Sequence, residues 1–538
     1  YLQGKQILEQ LESSITADNF ESRVLLIYVQ PLEDIPDETN APETRVRYLI
    51  LHQQSTGKTY FVDLFRILAA GKADIIRQLQ KIFDKALVVG YDLQQSGVLL
   101  KSQHKLTLSN PFCLKTAMAY IERATGKSCE DLKRKFSDRS PKPVFSDLKS
   151  PRTSFDDCKQ LVSKCSAQAF LFDEIVTFFQ SYKLLSESSY QTGQMKIADN
   201  HFELEMKLLQ VLIDASSTGL KVNKKELERL QIKCAAVDND THNSILLSLL
   251  NNCGEPGQVV HTYFHSLGSS TGRLSSSNPN IMGIDRTLHH CILPHSRQVL
   301  LCADYSQIEP RIAAAYTQEE PLLRVFREGK DIYREIASSL FQIATDSVDT
   351  ETRSKIKTMF LGLLYGMGAK ALQKRLLDQG IDVTISEAKE LIINFKNTYT
   401  KLGGIIDGAG KLAGEQKKAG GMITARTMTG RPITINATSS EESELRAHNF
   451  NHIIQGTGAD ILKLAAVEFH KRIREAGLRA QIVNLVHDEI LVEVSREDRD
   501  RVQEILVDVM QSVGRSVIGI ETPVKCGVGS NWRIAKGE

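Results

Sequence analysis

Two carboxylates in this chain stand where strands are expected to end. Asp304 closes the apolar run Val299 to Ala303 within Gln298-Val-Leu-Leu-Cys-Ala-Asp-Tyr-Ser-Gln-Ile-Glu-Pro-Arg311. Asp488 lies far downstream in Val486-His-Asp-Glu489, between apolar runs that read as two short strands with His487, Asp488 and Glu489 at the tip of the turn. The first motif reads strand, Asp304, turn, helix. Pro310 is expected at the first helical position, where no backbone N–H is needed, and Glu309 lies about one turn beyond Asp304. Either aspartate alone would read as a solvated turn residue. If the hairpin pairs beside the first strand, the two become neighbours, and at about 4 Å they repel by roughly 4 kcal/mol at an effective dielectric near 20. A cation must then hold them. Oxygen donors with no Cys or His cluster nearby favour magnesium, with manganese as a substitute, and a carboxylate pair that leaves places for phosphate oxygens suits phosphoryl transfer.

A third stretch, Arg353-Ser-Lys-Ile-Lys-Thr-Met-Phe-Leu-Gly-Leu-Leu-Tyr-Gly366, lies between them. Arg353, Lys357, Leu361 and Tyr365 recur every fourth residue, so on a helix they form one stripe, with Asp349 or Thr350 available to cap its start. Cations one turn apart repel unless an anion lies over them. A triphosphate would satisfy Arg353 and Lys357 together and leave Leu361 and Tyr365 to pack sugar and base. A solvated basic face is the ordinary alternative; it fits less well because the stripe continues into apolar residues and two glycines.

The order Asp304-Tyr-Ser-Gln-Ile-Glu309, then Arg353-x3-Lys357-x7-Tyr365-Gly, then Val486-His-Asp-Glu489 resembles motifs A, B and C of the family A DNA polymerases, the group of bacterial polymerase I and the eukaryotic theta and nu enzymes. The resemblance implies two magnesium ions held by Asp304, Asp488 and the backbone of Tyr305, with Glu489 in support. It implies a triphosphate on Arg353 and Lys357, Lys357 serving also to protonate the leaving group. Leu361, Tyr365, Glu309, Gln307 and Tyr333 are then expected around the deoxynucleotide, Glu309 excluding a ribose 2′-hydroxyl and Tyr365 stacking at the templating position. Ser270-Thr-Gly-Arg-Leu-Ser-Ser-Ser-Asn-Pro-Asn280 and Asn451-His-Ile-Ile-Gln-Gly-Thr-Gly-Ala-Asp460 resemble segments that touch primer-template DNA. They offer Arg273, Asn278, Asn451 and Gln455; donors there can test pair geometry at the minor-groove acceptors common to every correct pair. His487 is expected at the primer terminus, and Arg431 of Thr427-Met-Thr-Gly-Arg431 at a nucleic-acid backbone. Departures accompany these matches. Leu361 replaces a usual aromatic, Tyr333 a histidine, Pro310 a leucine, Ala447 an arginine and Pro432 a second arginine.

At 538 residues and 41% hydrophobic content the chain can bury more than one core, and a formal charge of +2 leaves DNA affinity to local basic patches. The nine cysteines form no CxxC pair, which favours reduced thiols and an intracellular setting, with nucleus, organelle and bacterial cytoplasm all open. No apolar run reaches membrane-spanning length, and because residue 1 is Tyr a fragment or processed form is expected. The fold expected is α/β and α+β multidomain: a right-hand polymerase of palm, fingers and thumb behind an N-terminal ribonuclease H-like domain of the 3′-to-5′ exonuclease type. The expected segments are 1–196 for that domain, 197–265 for the thumb, 266–330 and 431–538 for the palm, and 331–430 for the fingers.

Strand-like runs at Val24 to Val29, Arg47 to Leu51 and Ala86 to Val89 and a helical pattern at Ala73 to Phe83 support the first segment. Tyr28 and Gln30, Ser96, Cys165 and Ala169 stand where the resemblance calls for metal-binding or catalytic residues, with Asp92 alone surviving nearby, so proofreading is not expected. Arg134 to Asp157, rich in Lys, Arg, Ser and Pro, reads as a mobile basic loop or a trimmed insertion, a solvated surface being favoured over a DNA contact. Only about fifty residues separate Val222 from Thr271, so the thumb is either reduced or abridged at Val237-Asp-Asn-Asp-Thr and Gly254-Glu-Pro-Gly, abridgement being favoured. Gly527-Val-Gly-Ser-Asn-Trp532 resembles a final strand. A monomeric, template-directed DNA polymerase with lower fidelity, in repair, translesion or organellar replication, is the resulting expectation. A single-subunit RNA polymerase and a non-catalytic DNA-binding subunit are the alternatives.

Overall fold

In the computed structural model the described residues are 2–16, 20–31, 42–69, 73–139, 155–181, 200–234, 240–254 and 258–538. The N-terminal part is built on β1 (Val24–Pro31), whose residues Val24, Leu25, Leu26 and Ile27 are all buried. A strand apolar on both faces must be covered on both. It sits at the centre of a five-stranded sheet with β2 (Val46–Gln53), β3 (Lys58–Asp63), β4 (Leu87–Gly90) and β5 (Pro111–Cys113), in the order β3-β2-β1-β4-β5. The pairs β1–β2 and β2–β3 are antiparallel, while β1–β4 and β4–β5 are parallel. Helices α1 (Leu93–His104), α2 (Leu114–Thr125) and α3 (Phe155–Ser181) contribute to the same core. The strands and the helix at Ala73–Lys85 fall where the apolar runs place them.

The stretch expected as a basic loop differs. Glu130–Arg139 is helical and α3 begins at Phe155, because acidic residues in the first turn and i,i+3 pairs such as Lys133 with Glu130 support the former helix; residues 140–154 lie outside the described residues. The proposed abridgement sites also fall partly outside them, at 235–239 and 255–257.

Helix α4 (Asn200–Thr218) joins two cores. Phe202, Met206, Leu209 and Ile213 pack into the N-terminal core, and Leu208, Val211, Leu212 and Ala215 into the C-terminal one. A helix with apolar residues on more than one face is stable only when buried between layers.

The C-terminal core surrounds a four-stranded antiparallel sheet. Its central strand β6 (Gln298–Tyr305) leads into α5 (Ile308–Thr317). Beyond it lie α6 (Ile332–Phe341), α7 (Thr350–Leu364), the hairpin β7 (Met422–Arg426) with β8 (Pro432–Asn436), and the long α8 (Asn451–Glu475). The sheet is completed by β9 (Ala480–Val486), β10 (Glu489–Ser495) and β11 (Val524–Gly529), in the order β9-β10-β6-β11, and α9 (Trp532–Lys536) packs against it.

Three local expectations need correcting. Helix α5 starts at Ile308, so Pro310 is its third residue; the first four helical amides lack intrahelical partners, and the ring costs nothing there. Glu489 is not at the hairpin tip but opens β10, paired with Val486 and Asp304. The final strand ends at Gly529, and Trp532 instead opens α9, capped by the Asn531 side chain. No helix among the described residues is long and apolar enough to cross a membrane, and the cysteines whose side chains are described are all free thiols.

Candidate active site

The hairpin does pair beside the first strand. In the register of β6 and β10, Asp304 faces Glu489, and the Tyr305 amide donates to the Asp488 carbonyl at 3.2 Å, so the strand end and the hairpin tip are locked together. The two turns carrying the site use left-handed backbone: φ is 59° at Gln307 and 55° at His487, neither of them glycine. The first turn is pinned by buried Arg311, whose Nε donates to the Ser306 carbonyl at 2.9 Å and Nη1 to the Glu521 carbonyl at 2.8 Å.

The electrostatics of the pair follow from this placement. Burial, and then the neighbouring Asp488 carboxylate, push the Asp304 carboxyl up to about 7. Burial likewise raises Asp488. Asp304 Oδ1 is buried and has no hydrogen-bond partner, which is costly for an oxygen of this kind. Two hard oxygen donors that destabilise each other's charged form, one with an unmet lone pair, fit a divalent cation of the magnesium type, which needs only one or two protein carboxylates besides substrate oxygens. No group of three or more His, Cys, Asp and Glu able to hold a metal occurs among the described residues.

Glu489 is otherwise engaged. It is buried, accepting from Trp532 Nε1 at 2.6 Å and from Lys536 Nζ at 2.5 Å. Its carboxylate therefore ties α9 to the sheet behind Asp304. Neither Trp532 nor Lys536 was singled out as a site residue, and their spacing of four on a short helix was the available signal.

Helix α7 runs as its stripe requires. Asp349 caps it, accepting from the Thr352 amide at 2.7 Å, and it ends at Tyr365, where Gly366 at φ 76° supplies the left-handed turn that a side chain would resist. Lys357 is exposed, Leu361 half-buried and Tyr365 46% exposed. Arg353 is held by Asp331, which donates nothing and accepts from Nε at 3.0 Å and Nη2 at 2.8 Å, above the ring of buried Tyr333. The Tyr365 hydroxyl donates to Glu309, 3.1 Å from each carboxylate oxygen, with Gln455 nearby, while Arg273 Nη2 pairs with Glu309 at 2.5 Å. Glu309, Tyr365, Arg273 and Gln455 thus converge from four separate segments.

Asn451 sits one turn before Gln455 on α8, buried, with Nδ2 lacking a partner; His487 and Asn278 are exposed. Arg431 departs from expectation. It is 2% exposed, pairs through Nε with Asp460 at 2.5 Å, and donates through Nη2 to the carbonyls of Thr271, at 2.6 Å, and Gly456, at 3.2 Å. A guanidinium spent in this way braces the segments that carry Arg273 and Gln455 and does not reach a nucleic-acid backbone.

The model of DNA polymerase family A matches residues 184–534. The chain belongs to DNA polymerase family A. DNA polymerase I of Aquifex aeolicus is 34% identical over 278 residues, covering 52% of this chain and 46% of that protein. DNA polymerase I of Caldicellulosiruptor bescii is 30% identical over 348 residues, 61% of this chain and 39% of its own length. The thermostable DNA polymerase I of Thermus aquaticus is 32% identical over 287 residues, 52% of this chain and 33% of its own length. The chain therefore spans less than half the length of these family A relatives. Among solved structures, the POL domain of Pol1 from M. smegmatis, in complex with DNA primer-template and dNTP, matches with a TM-score of 0.76 over 99% of this chain and 98% of that one, at 20% identity; this likeness is one of fold.

Proposed function

We propose that this family A chain is a DNA-directed DNA polymerase that adds deoxynucleotides to a primer 3′-hydroxyl by two-metal phosphoryl transfer. The observation that carries the reading is the Asp304–Asp488 pair, half-buried where a strand end meets a hairpin tip, with one buried oxygen unmet and a raised carboxyl. Asp304 and Asp488, with the Tyr305 carbonyl, would hold the divalent cations. Bound there, such cations would supply the Lewis acidity that activates an attacking hydroxyl and neutralises charge on the leaving group.

The chain's own residues do the rest by position and charge. Arg353 and Lys357 grip the triphosphate, and Lys357 holds the proton that the departing pyrophosphate takes. Glu309, fixed by Arg273 and the Tyr365 hydroxyl, occupies the space of a ribose 2′-hydroxyl, while Leu361 and Gln307 border the sugar. Tyr365 offers its exposed ring for stacking. Arg273, Asn278, Asn451, Gln455 and His487 would face primer-template DNA.

The N-terminal part is read as a ribonuclease H-like domain of the exonuclease type, supported by the mixed order β3-β2-β1-β4-β5. It would not proofread. Tyr28 donates its hydroxyl to Gln30 at 2.9 Å where paired carboxylates would be needed, and Asp92 is spent on capping α1 and on Lys115 and the Tyr263 hydroxyl. We assign 1–196 to this domain, 197–265 to the thumb, 331–430 to the fingers and the remainder to the palm, in a monomer. Lower-fidelity synthesis in repair, translesion or organellar replication fits the departures at Leu361 and Tyr333.

The test is extension of a labelled primer on a DNA template with magnesium and four deoxynucleotides, beside an Asp488→Ala protein and a primer with a mismatched end. Extension by the parent alone, with neither primer shortened, is expected. Absence of extension under every condition would favour a DNA-binding subunit, and shortening of the mismatched primer would overturn the reading of the N-terminal domain.

A further inference from the structure

Asp331 lies outside the three motifs, at the start of α6, and its two carboxylate oxygens do different work. Oδ1 caps the helix, accepting from the amides of Tyr333 and Arg334, each at 3.0 Å. Oδ2 accepts two N–H groups from one guanidinium, Arg353 Nε at 3.0 Å and Nη2 at 2.8 Å. The Arg353 guanidinium also lies 5.3 Å from the centroid of the Tyr333 ring, within range of a cation–π contact. The side chains of Arg353 and Asp331 are 32% and 29% exposed, so the pair is screened less than an open surface pair.

A guanidinium carries five N–H donors in a fixed plane. Asp331 engages two and leaves three. We propose that Asp331 is a positioning residue for nucleotide binding: with the Tyr333 ring it fixes the plane of Arg353 so that its three free donors face an incoming triphosphate. Asp331 also offsets the repulsion between Arg353 and Lys357, one turn apart on α7. This rests on the reading of α7 as the helix that binds the triphosphate.

Asp331→Asn separates the two roles, because Asn caps helices as well as Asp does while losing the charge that orients Arg353. Steady-state KM and kcat for a deoxynucleotide would be measured on a primer-template for Asp331→Asn, Arg353→Ala and the double variant, with melting temperatures alongside. The expected result is a KM raised about tenfold in Asp331→Asn with kcat nearly unchanged, a larger rise in Arg353→Ala, and a double variant no worse than Arg353→Ala alone, since Asp331 acts through Arg353. An unchanged or lowered KM in Asp331→Asn overturns the proposal, the latter by making Asp331 a competitor of the nucleotide. A double variant whose losses multiply overturns it as well. If Arg353→Ala itself leaves KM unaltered, the triphosphate reading of α7 falls, and that outcome is distinct from a failure confined to Asp331→Asn.

Discussion

At the scale of single residues, the energetics of Asp304 determine how the site responds to pH. Its carboxyl is shifted from an ordinary value of 3.8 to about 7. Between those values the folded metal-free protein retains a proton that the unfolded chain has lost, so its stability falls as pH rises through that window and stays low above it. After allowance for screening the loss is on the order of 2 kcal/mol. Asp304→Asn removes this penalty. In chelator, its melting temperature should match the parent's near pH 4 and exceed it increasingly toward pH 8, by about 2–3 °C there for a loss of that size in a chain this large, while primer extension disappears. Thermal scans of both proteins across that range check this, and equal pH profiles would show that Asp304 is not the titrating group. Glu309 is the second residue whose geometry makes a specific demand, since one carboxylate serves both Arg273 and the Tyr365 hydroxyl. Glu309→Ala should lower the preference for deoxy- over ribonucleotides by at least about tenfold in the ratio of kcat/KM values, because a site built around one substrate loses discrimination when its excluding group is removed. A preserved ratio would remove Glu309 from the role of sugar gate.

At the scale of elements, apolar runs and caps were legible and long-range charge pairs were not. The strand before Asp304, the hairpin carrying Asp488 and the Asp349 cap all follow from local pattern. The resemblance of Thr427-Met-Thr-Gly-Arg431 places Arg431 at a nucleic-acid backbone, and its burial is not visible from the motif because its partners at Asp460 and Thr271 are distant in sequence and nothing local marks them. Asp331 was passed over for a similar reason: its role as a cap was local, but its pairing with Arg353 crosses two helices. The burial of Arg431 makes a strong prediction. Arg431→Ala leaves the buried Asp460 carboxylate without its cation, only the Thr429 hydroxyl still donating to it, and should cost about 3–5 kcal/mol, whereas Arg431→Met with Asp460→Leu should recover much of it. Denaturant titration measures both. The folded fraction of either variant should bind primer-template DNA with the parent's salt dependence, whatever affinity is lost with the brace on Arg273 and Gln455; a shallower salt dependence would restore a direct phosphate contact.

At the scale of the whole molecule, the family resemblance foretold the order of the parts but not how they hold one another. The N-terminal part docks through Asp92, which accepts from the Tyr263 hydroxyl at 2.9 Å, and through Thr434 of β8, which donates to the Ala124 carbonyl at 2.8 Å. Helix α4 is the stronger link, because its alternate faces complete two separate cores and because Glu205 on it pairs with fully buried Lys463 of α8. A helix whose removal opens both cores couples their unfolding, even though chains of this size often unfold in steps. Trp532, the only tryptophan, lies buried against Glu489 and reports on the C-terminal sheet alone. Its fluorescence and the far-ultraviolet dichroism of the whole chain should therefore melt at one temperature. Ile213 faces the N-terminal core, where it meets Gly97 of α1, and Ile213→Ala should cost about 2–4 kcal/mol there. If α4 couples the cores, that change moves the Trp532 transition as far as it moves the dichroism. A Trp532 transition that stays put while part of the dichroism shifts to lower temperature would mean that the N-terminal part melts independently and is held to the polymerase only by its surface contacts.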